Sequence, residues 1–251
     1  MGKRVCIVTG GGQGIGRALS HHFAENGIRV VVAELDEQNG AAVAAEIAAK
    51  GREALAVTTD VASPGSVRDL FARVRESYGR VDILINNARW SGLAPARVQD
   101  ISDADWRRAL DVNVTGAFHC IREAVPMMIA ARFGRIVIMS SATVRQPPSR
   151  PYVHYITSKA ALVGMTRALA KELGEFGITV NAILPGSIET GVARPSPVTS
   201  ADREQRAKQS QAIPRVLSPN DLAGTALFLA SDAAAFITGQ SLAVDGGLTF
   251  G

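Results

Sequence analysis

Short apolar runs rich in β-branched residues alternate with helical patterns along almost the whole chain, and this alternation leaves few architectures open. Arg4 to Thr9 reads as a buried strand carried by Val5, Ile7 and Val8. A glycine-rich turn follows, Thr9-Gly10-Gly11-Gly12-Gln13-Gly14-Ile15-Gly16, and then a helical pattern to Asn26, with Gly27 as its C-cap. Six further strands are expected at 28–33, 53–58, 81–85, 135–139, 178–184 and 240–244. Between them lie helical patterns at 37–50, at 63–78 with Ser63 as cap and Pro64 in the first turn, at 102–132 with Pro126 inside, from Tyr155 to Leu173, and at 220–230. No repeat, low-complexity tract or linker interrupts the pattern. It predicts an α/β fold with one doubly wound parallel sheet, seven strands with helices on both faces, in a single domain over 1–251.

Composition narrows the function. The 251 residues carry a net charge of +4, but the basic residues are scattered, so no nucleic-acid surface is expected. No apolar run reaches the length of a bilayer span, so no membrane partner is expected either. Cys6 and Cys120 are the only cysteines and have no motif spacing, which suggests buried thiols in a reducing compartment and no metal site. The first strand begins almost at the N-terminus, leaving no room for a signal peptide, and a cytoplasmic location is expected.

The candidate chemistry lies where strands end. A glycine-rich turn between a strand and a helix suits a pyrophosphate, because free N–H groups at the helix start face the anion and absent side chains let the backbone approach. Glu34 ends the second strand, where an acid can take both ribose hydroxyls of an adenosine and repel a 2′-phosphate. That favours NAD over NADP, although Arg17 is a nearby cation. Asn113 stands among Leu110, Val112, Val114 and Phe118 as either a satisfied core amide or a functional one. Ser141 follows the fifth strand, beyond the carboxyl edge where ligands of such sheets sit. Tyr155 and Lys159 are four residues apart, on one helix face, and an ammonium beside a phenol lowers the phenol pKa toward the range of a general acid/base. The polar segment 187–213, with Pro195 and Pro197, reads as a lid.

Taken together, these motifs resemble the short-chain dehydrogenase/reductase family in its form of about this length, over essentially the whole chain. The cofactor turn is Thr9-Gly10-x-x-x-Gly14-x-Gly16, the adenine-side pair is Asp60-Val61, and Pro185-Gly186-Ser187-Ile188-Glu189-Thr190 matches the segment at the nicotinamide amide. Phe228 to Asp232, and Ile237 through Asp245-Gly246-Gly247, also match. The resemblance implies a Rossmann fold and a catalytic tetrad of Asn113, Ser141, Tyr155 and Lys159. It implies that Gly10, Gln13, Gly14, Ile15, Gly16, Glu34, Asp60, Val61, Asn87, Ala88, Tyr155, Lys159, Pro185, Gly186, Ile188 and Thr190 bind NAD. In the implied mechanism Tyr155 exchanges a proton with the substrate oxygen, Lys159 lowers its pKa, Ser141 holds the oxygen, and Asn113 orders a water linking Lys159 to solvent.

One departure stands out. The family has Asn-Asn-Ala-Gly after the fourth strand, and here Arg89 takes the glycine position, so it must tolerate the turn or shift the loop. Ser141, Tyr155, Arg89, Trp90, Val144 and Val153 are the expected substrate contacts. Val192 would extend the apolar wall, and one or two of Arg89, Arg145, Arg150 and Arg194, Arg89 first, would clamp an anionic group. The main expectation is NAD-dependent conversion of a secondary alcohol and a ketone, with oxidation favoured. The alternatives are a 3-oxoacyl thioester reductase, which would more comfortably carry a basic residue in place of Glu34, and a catalytically silent binding protein. From Tyr152 through Asp245 the chain is similar to bacterial phenylethanol dehydrogenases, a hint of aryl or small ketone substrates. The family resemblance also implies a homotetramer.

Overall fold

The structure, a computed structural model, describes residues 3–90, 95–188 and 199–250. Its strands are β1 (Val5–Thr9), β2 (Arg29–Glu34), β3 (Ala54–Thr58), β4 (Ile83–Asn86), β5 (Gly134–Met139), β6 (Ile178–Pro185) and β7 (Ser241–Val244). All pair in parallel, in the order β3-β2-β1-β4-β5-β6-β7. Every residue of β1, β4, β5 and β6 is buried, which explains why these strands read as continuous apolar runs. The helices are α1 (Gly14–Glu25), α2 (Glu37–Ala49), α3 (Pro64–Tyr78), α4 (Asp103–Leu110), α5 (Gly116–Ala131), α6 (Val153–Leu173), α7 (Ser200–Ser210) and α8 (Pro219–Leu229). Leu19 and Phe23 of α1, Val43 and Ile47 of α2, and Leu222 and Ala226 of α8 form the core on one sheet face. Val67 and Phe71 of α3, Ile121 and Met128 of α5, and Leu162 and Leu173 of α6 form the core on the other. This is a doubly wound Rossmann fold.

The chain runs outward from β1 to β3, then returns to lay β4 on the other side of β1. The strand order therefore reverses between β1 and β4, and loops leaving these two carboxyl ends diverge to open a crevice. Hydrogen bonds tie the two loops at their base. The Thr9 hydroxyl accepts from the N–H groups of Asn87 and Ala88 at 3.0 Å each, and the Asn87 amide donates to the Thr9 carbonyl at 2.9 Å.

The expected helical region 102–132 is helical without a break from Asp103 to Ala131, with α4 and α5 joined through a π turn at Asp111–Thr115 that centres on Asn113. Pro126 sits inside α5 without ending it. The polar segment 187–213 contains α7, capped reciprocally by Thr199 and Asp202. The rest of that segment, including Thr190, Val192, Arg194, Pro195 and Pro197, lies outside the described residues. No helix among the described residues is long and apolar enough to cross a membrane.

Candidate active site

The turn after β1 depends on glycine for conformation and for space. Gly10 and Gly14 have φ of +62° and +54°, in the left-handed region. A Cβ on Gly16 would run into the Gly10 carbonyl oxygen. Gln13, the N-cap of α1, makes no side-chain capping bond, and no acid stands in the first turn, so the helix starts with free amides and a positive dipole end. Ile15, half-buried, packs on the core beneath the turn. Glu34 is buried at the end of β2, where its carboxylate accepts from Gly12 N–H at 2.9 Å and Leu35 N–H at 2.9 Å. Arg17, the nearby cation, pairs with Glu46 at 2.6 Å on the surface. Asp60 accepts from Ala62 N–H at 2.9 Å, and Val61 packs against the start of α5, where a Cβ on Gly116 would meet it at 2.7 Å. At the far side Gly186, after Pro185, donates to the Val244 carbonyl at 3.1 Å, and Ile188 forms a parallel bridge with Leu217. An uncapped helix start, a glycine turn and a fixed carboxylate one strand away suit a dinucleotide with free ribose hydroxyls.

Ser141, Tyr155 and Lys159 meet beyond β5. Lys159 is 2 % exposed and its Nζ donates to the Met139 carbonyl at 2.7 Å, with its ammonium 5.9 Å from the Tyr155 ring centroid. The Ser140 hydroxyl donates to the Lys159 carbonyl at 2.8 Å, fixing α6 against the end of β5. The expected effect of lysine on tyrosine is not what the structure shows. Burial is the largest influence on Tyr155 and pushes its phenol up. Arg89, a hydrogen bond with the Ser141 hydroxyl, and Arg150 act against that rise. Lys159 is itself pushed down to about 7, by burial first and by Arg89 second. A spacing of four residues does not reveal how dry the pair is, and dryness dominates here.

Asn113 is buried and bonded on both sides of its amide. Its side-chain oxygen accepts from Trp90 N–H at 2.7 Å and its amide donates to the Ser158 hydroxyl at 2.9 Å. Ser158 in turn donates to the Tyr155 carbonyl at 2.8 Å. The amide thus braces the loop after β4 against the first turns of α6. Ser158 went unnoticed in the sequence, although it directly precedes Lys159.

Arg89 does not strain its turn. The only non-glycine residue with positive φ among the described residues is Arg132, so the arginine fits the backbone as it stands. Its neighbours pin it on both sides, Ala88 to Thr9 and Trp90 to Asn113. Of the other arginines, Arg145 donates to the Ser241 carbonyl at 2.8 Å and so is anchored on β7. Arg150 lies over the Tyr152 ring at 5.0 Å. Val144 is half-buried in a short turn beside Ser141, and Val153 opens α6 with its side chain partly exposed. Val153 lines a cavity of about 550 Å³ together with Arg97, Arg150, Tyr152, Ile156 and three prolines, Pro147, Pro148 and Pro151. Sequence reading did not single out Arg97 or Tyr152.

The sequence profile described as enoyl-(acyl carrier protein) reductase matches residues 10–249. The chain belongs to the short-chain dehydrogenase/reductase family. It is 37% identical over 247 residues to the (2S)-[(R)-hydroxy(phenyl)methyl]succinyl-CoA dehydrogenase subunit BbsD of Thauera aromatica, covering 98% of this chain and 96% of that one. It is 37% identical to a 3-oxoacyl-[acyl-carrier-protein] reductase of Synechocystis, covering 98% and 96%. The crystal structure of a 3-oxoacyl-[acyl-carrier protein] reductase from Brucella melitensis with bound NAD superimposes with a TM-score of 0.89 at 33% identity, covering 99% of this chain and 92% of that one. This member of the short-chain dehydrogenases is an NAD(P)-dependent oxidoreductase acting on a carbonyl or hydroxyl group, and the reading as a silent binding protein falls.

Proposed function

We propose that this short-chain dehydrogenase interconverts a 3-hydroxyacyl and a 3-oxoacyl thioester with NAD, and that Tyr155 is its acid/base. The observation that carries the chemistry is the meeting of Tyr155, Ser141 and buried Lys159 beyond β5, beside the crevice between β1 and β4. The relatives move the substrate from a plain secondary alcohol to a thioester: their names specify 3-oxoacyl groups on a carrier protein and a hydroxylated acyl-CoA. NAD is the cofactor, consistent with Glu34 at the end of β2 and with the Brucella relative that binds it. Glu34 is also the residue that sits uneasily with NADP-linked biosynthesis, so oxidation of the hydroxyacyl thioester is the favoured direction.

Bound NAD would supply the hydride acceptor, held by the α1 start, Glu34, Asn87, Ala88 and the Pro185-Gly186 turn. Tyr155 takes the hydroxyl proton from the substrate; burial pushes its phenol up, and Arg89, the Ser141 hydroxyl and Arg150 act against that rise without cancelling it. The Ser141 hydroxyl donates a hydrogen bond to the substrate oxygen as it becomes a carbonyl. Lys159 is tied to the Met139 carbonyl and stays under the Tyr155 ring, where its charge can follow the titration of the phenol. Asn113 and Ser158 hold the first turn of α6 in register with the loop after β4.

The test compares 3-hydroxybutyryl-CoA, 1-phenylethanol and 2-butanol with NAD and with NADP, read as reduced nicotinamide absorbance. The thioester with NAD should give the highest kcat/KM. A plain or aryl alcohol that is turned over faster would return the function to secondary alcohols and ketones.

A further inference from the structure

Arg89 stands between two fixed points. Ala88 before it donates to the Thr9 hydroxyl at 3.0 Å and lies so close to the glycine turn that a Cβ on Gly10 would meet its Cα at 3.1 Å. Trp90 after it donates to the Asn113 side chain at 2.7 Å, and Asn113 is bonded in turn to Ser158, which donates to the Tyr155 carbonyl. The backbone of Arg89 is therefore held between the nucleotide crevice and the start of α6, and its long side chain springs from a fixed base.

The guanidinium is half-buried and makes no hydrogen bond or ion pair with any described residue. The other arginines around the site are engaged: Arg17 with Glu46, Arg145 with the Ser241 carbonyl, and Arg150 with the Tyr152 ring. The charge of Arg89 is nonetheless felt at both reacting groups. It is the largest influence opposing the burial of Tyr155, and it is the charge that acts on buried Lys159. Among the described residues the charges acting on this pair are Arg89 and Arg150, and no carboxylate stands with them. A free guanidinium within reach of a buried ammonium, with no acid between them, costs free energy that a bound anion returns. A carboxylate suits the guanidinium best, since its two oxygens meet the planar fork of donors in parallel hydrogen bonds.

We infer that the acyl group of the substrate carries a carboxylate, and that Arg89 holds it beside the reacting carbon. The inference rests on the thioester reading given above and narrows it to thioesters of dicarboxylic acids. The cofactor pyrophosphate is the other anion expected near this loop. The uncapped start of α1 already offers it free amides, whereas the charge of Arg89 reaches the catalytic pair.

The experiment measures kcat/KM with NAD for two coenzyme A thioesters of matched shape: 3-hydroxyglutaryl-CoA, and 3-hydroxy-5-methylhexanoyl-CoA, in which an isopropyl group replaces the carboxylate. Wild type should prefer the acid by about tenfold or more. In Arg89→Gly, which restores the family's residue, the ratio should fall to one or below, while Arg89→Lys should retain part of it. Any change that Arg89→Gly makes to Tyr155 and Lys159 bears on both substrates alike and cancels in the ratio. A wild-type ratio of one or below, or a ratio unchanged by Arg89→Gly, would overturn the inference while leaving the thioester function intact. An unchanged ratio together with a tenfold weaker Kd for NAD, measured by calorimetry, would assign Arg89 to the pyrophosphate instead. If neither thioester is oxidised but 1-phenylethanol is, the thioester function falls, and this inference falls with it.

Discussion

Replacing Lys159 with methionine should abolish turnover and make the protein more stable at pH 6. The ammonium is 2 % exposed, and its pKa is pushed from an ordinary 10.5 down to about 7. Between those two values the unfolded chain binds more protons than the folded one, so stability rises with pH across the window and the penalty is full below pH 7. At about 1.4 kcal/mol per pH unit, the fall from 10.5 to about 7 corresponds to roughly 5 kcal/mol at pH 6. About 2 kcal/mol of it should remain at pH 9 by the same linkage. Methionine fills similar space without the charge but leaves the Met139 carbonyl without its 2.7 Å bond, a loss of about 1–3 kcal/mol. The variant should thus gain about 2–4 kcal/mol at pH 6, and the gain should shrink to about zero by pH 9. Urea unfolding at matched protein concentration, at pH 6, 7.5 and 9, measures this directly. A variant less stable than wild type at pH 6, or a difference that does not change with pH, would refute the reasoning.

Further outcomes follow from other parts of the site. Glu34→Ala should narrow the preference for NAD over NADP by about tenfold, read from kcat/KM with each cofactor; an unchanged ratio would show that the carboxylate does not select. Arg89→Gly restores the family's residue and removes a cation that acts on both Tyr155 and Lys159. If Arg89 clamps an anionic group, the change should cost a hydroxy acid about 1.5–3 kcal/mol more than its neutral alcohol analogue in kcat/KM, and equal losses would rule the clamp out. Phe118 on α5, Phe228 on α8 and Leu242 on the edge strand β7 are each more than two-fifths exposed, so sedimentation at micromolar concentration should show a homotetramer and not a monomer.

The strands and helices were legible because both core faces are built from long apolar runs, and predicted and observed bounds differ by only one or two residues at most ends. The glycine turn and Glu34 were legible as cofactor residues, and the structure brings both to the crevice where the strand order reverses, an order no local pattern spells out. What the sequence did not reveal depends on contacts between distant segments. The π turn at Asn113 leaves no trace in a helical pattern, because one extra residue per turn barely disturbs the apolar rhythm. The occupation of Asn113 by Trp90 and Ser158 joins residues 23 and 45 positions apart. The dry setting of Lys159 arises from the end of β5 folding over it, and so reversed the expected balance between lysine and phenol. The helix α7 was missed because its residues are almost all polar, although Thr199 and Asp202 carry the capping signature in plain view.

The central claim is that Tyr155 performs the proton transfer on a 3-hydroxyacyl thioester, and Tyr155→Phe tests it most directly because the ring remains and only the hydroxyl is lost. Turnover of 3-hydroxybutyryl-CoA with saturating NAD should fall by about 10²–10⁴-fold in the variant, while the Kd for NAD, measured by calorimetry, stays near that of wild type. Near-normal turnover in Tyr155→Phe with NAD bound would contradict the account.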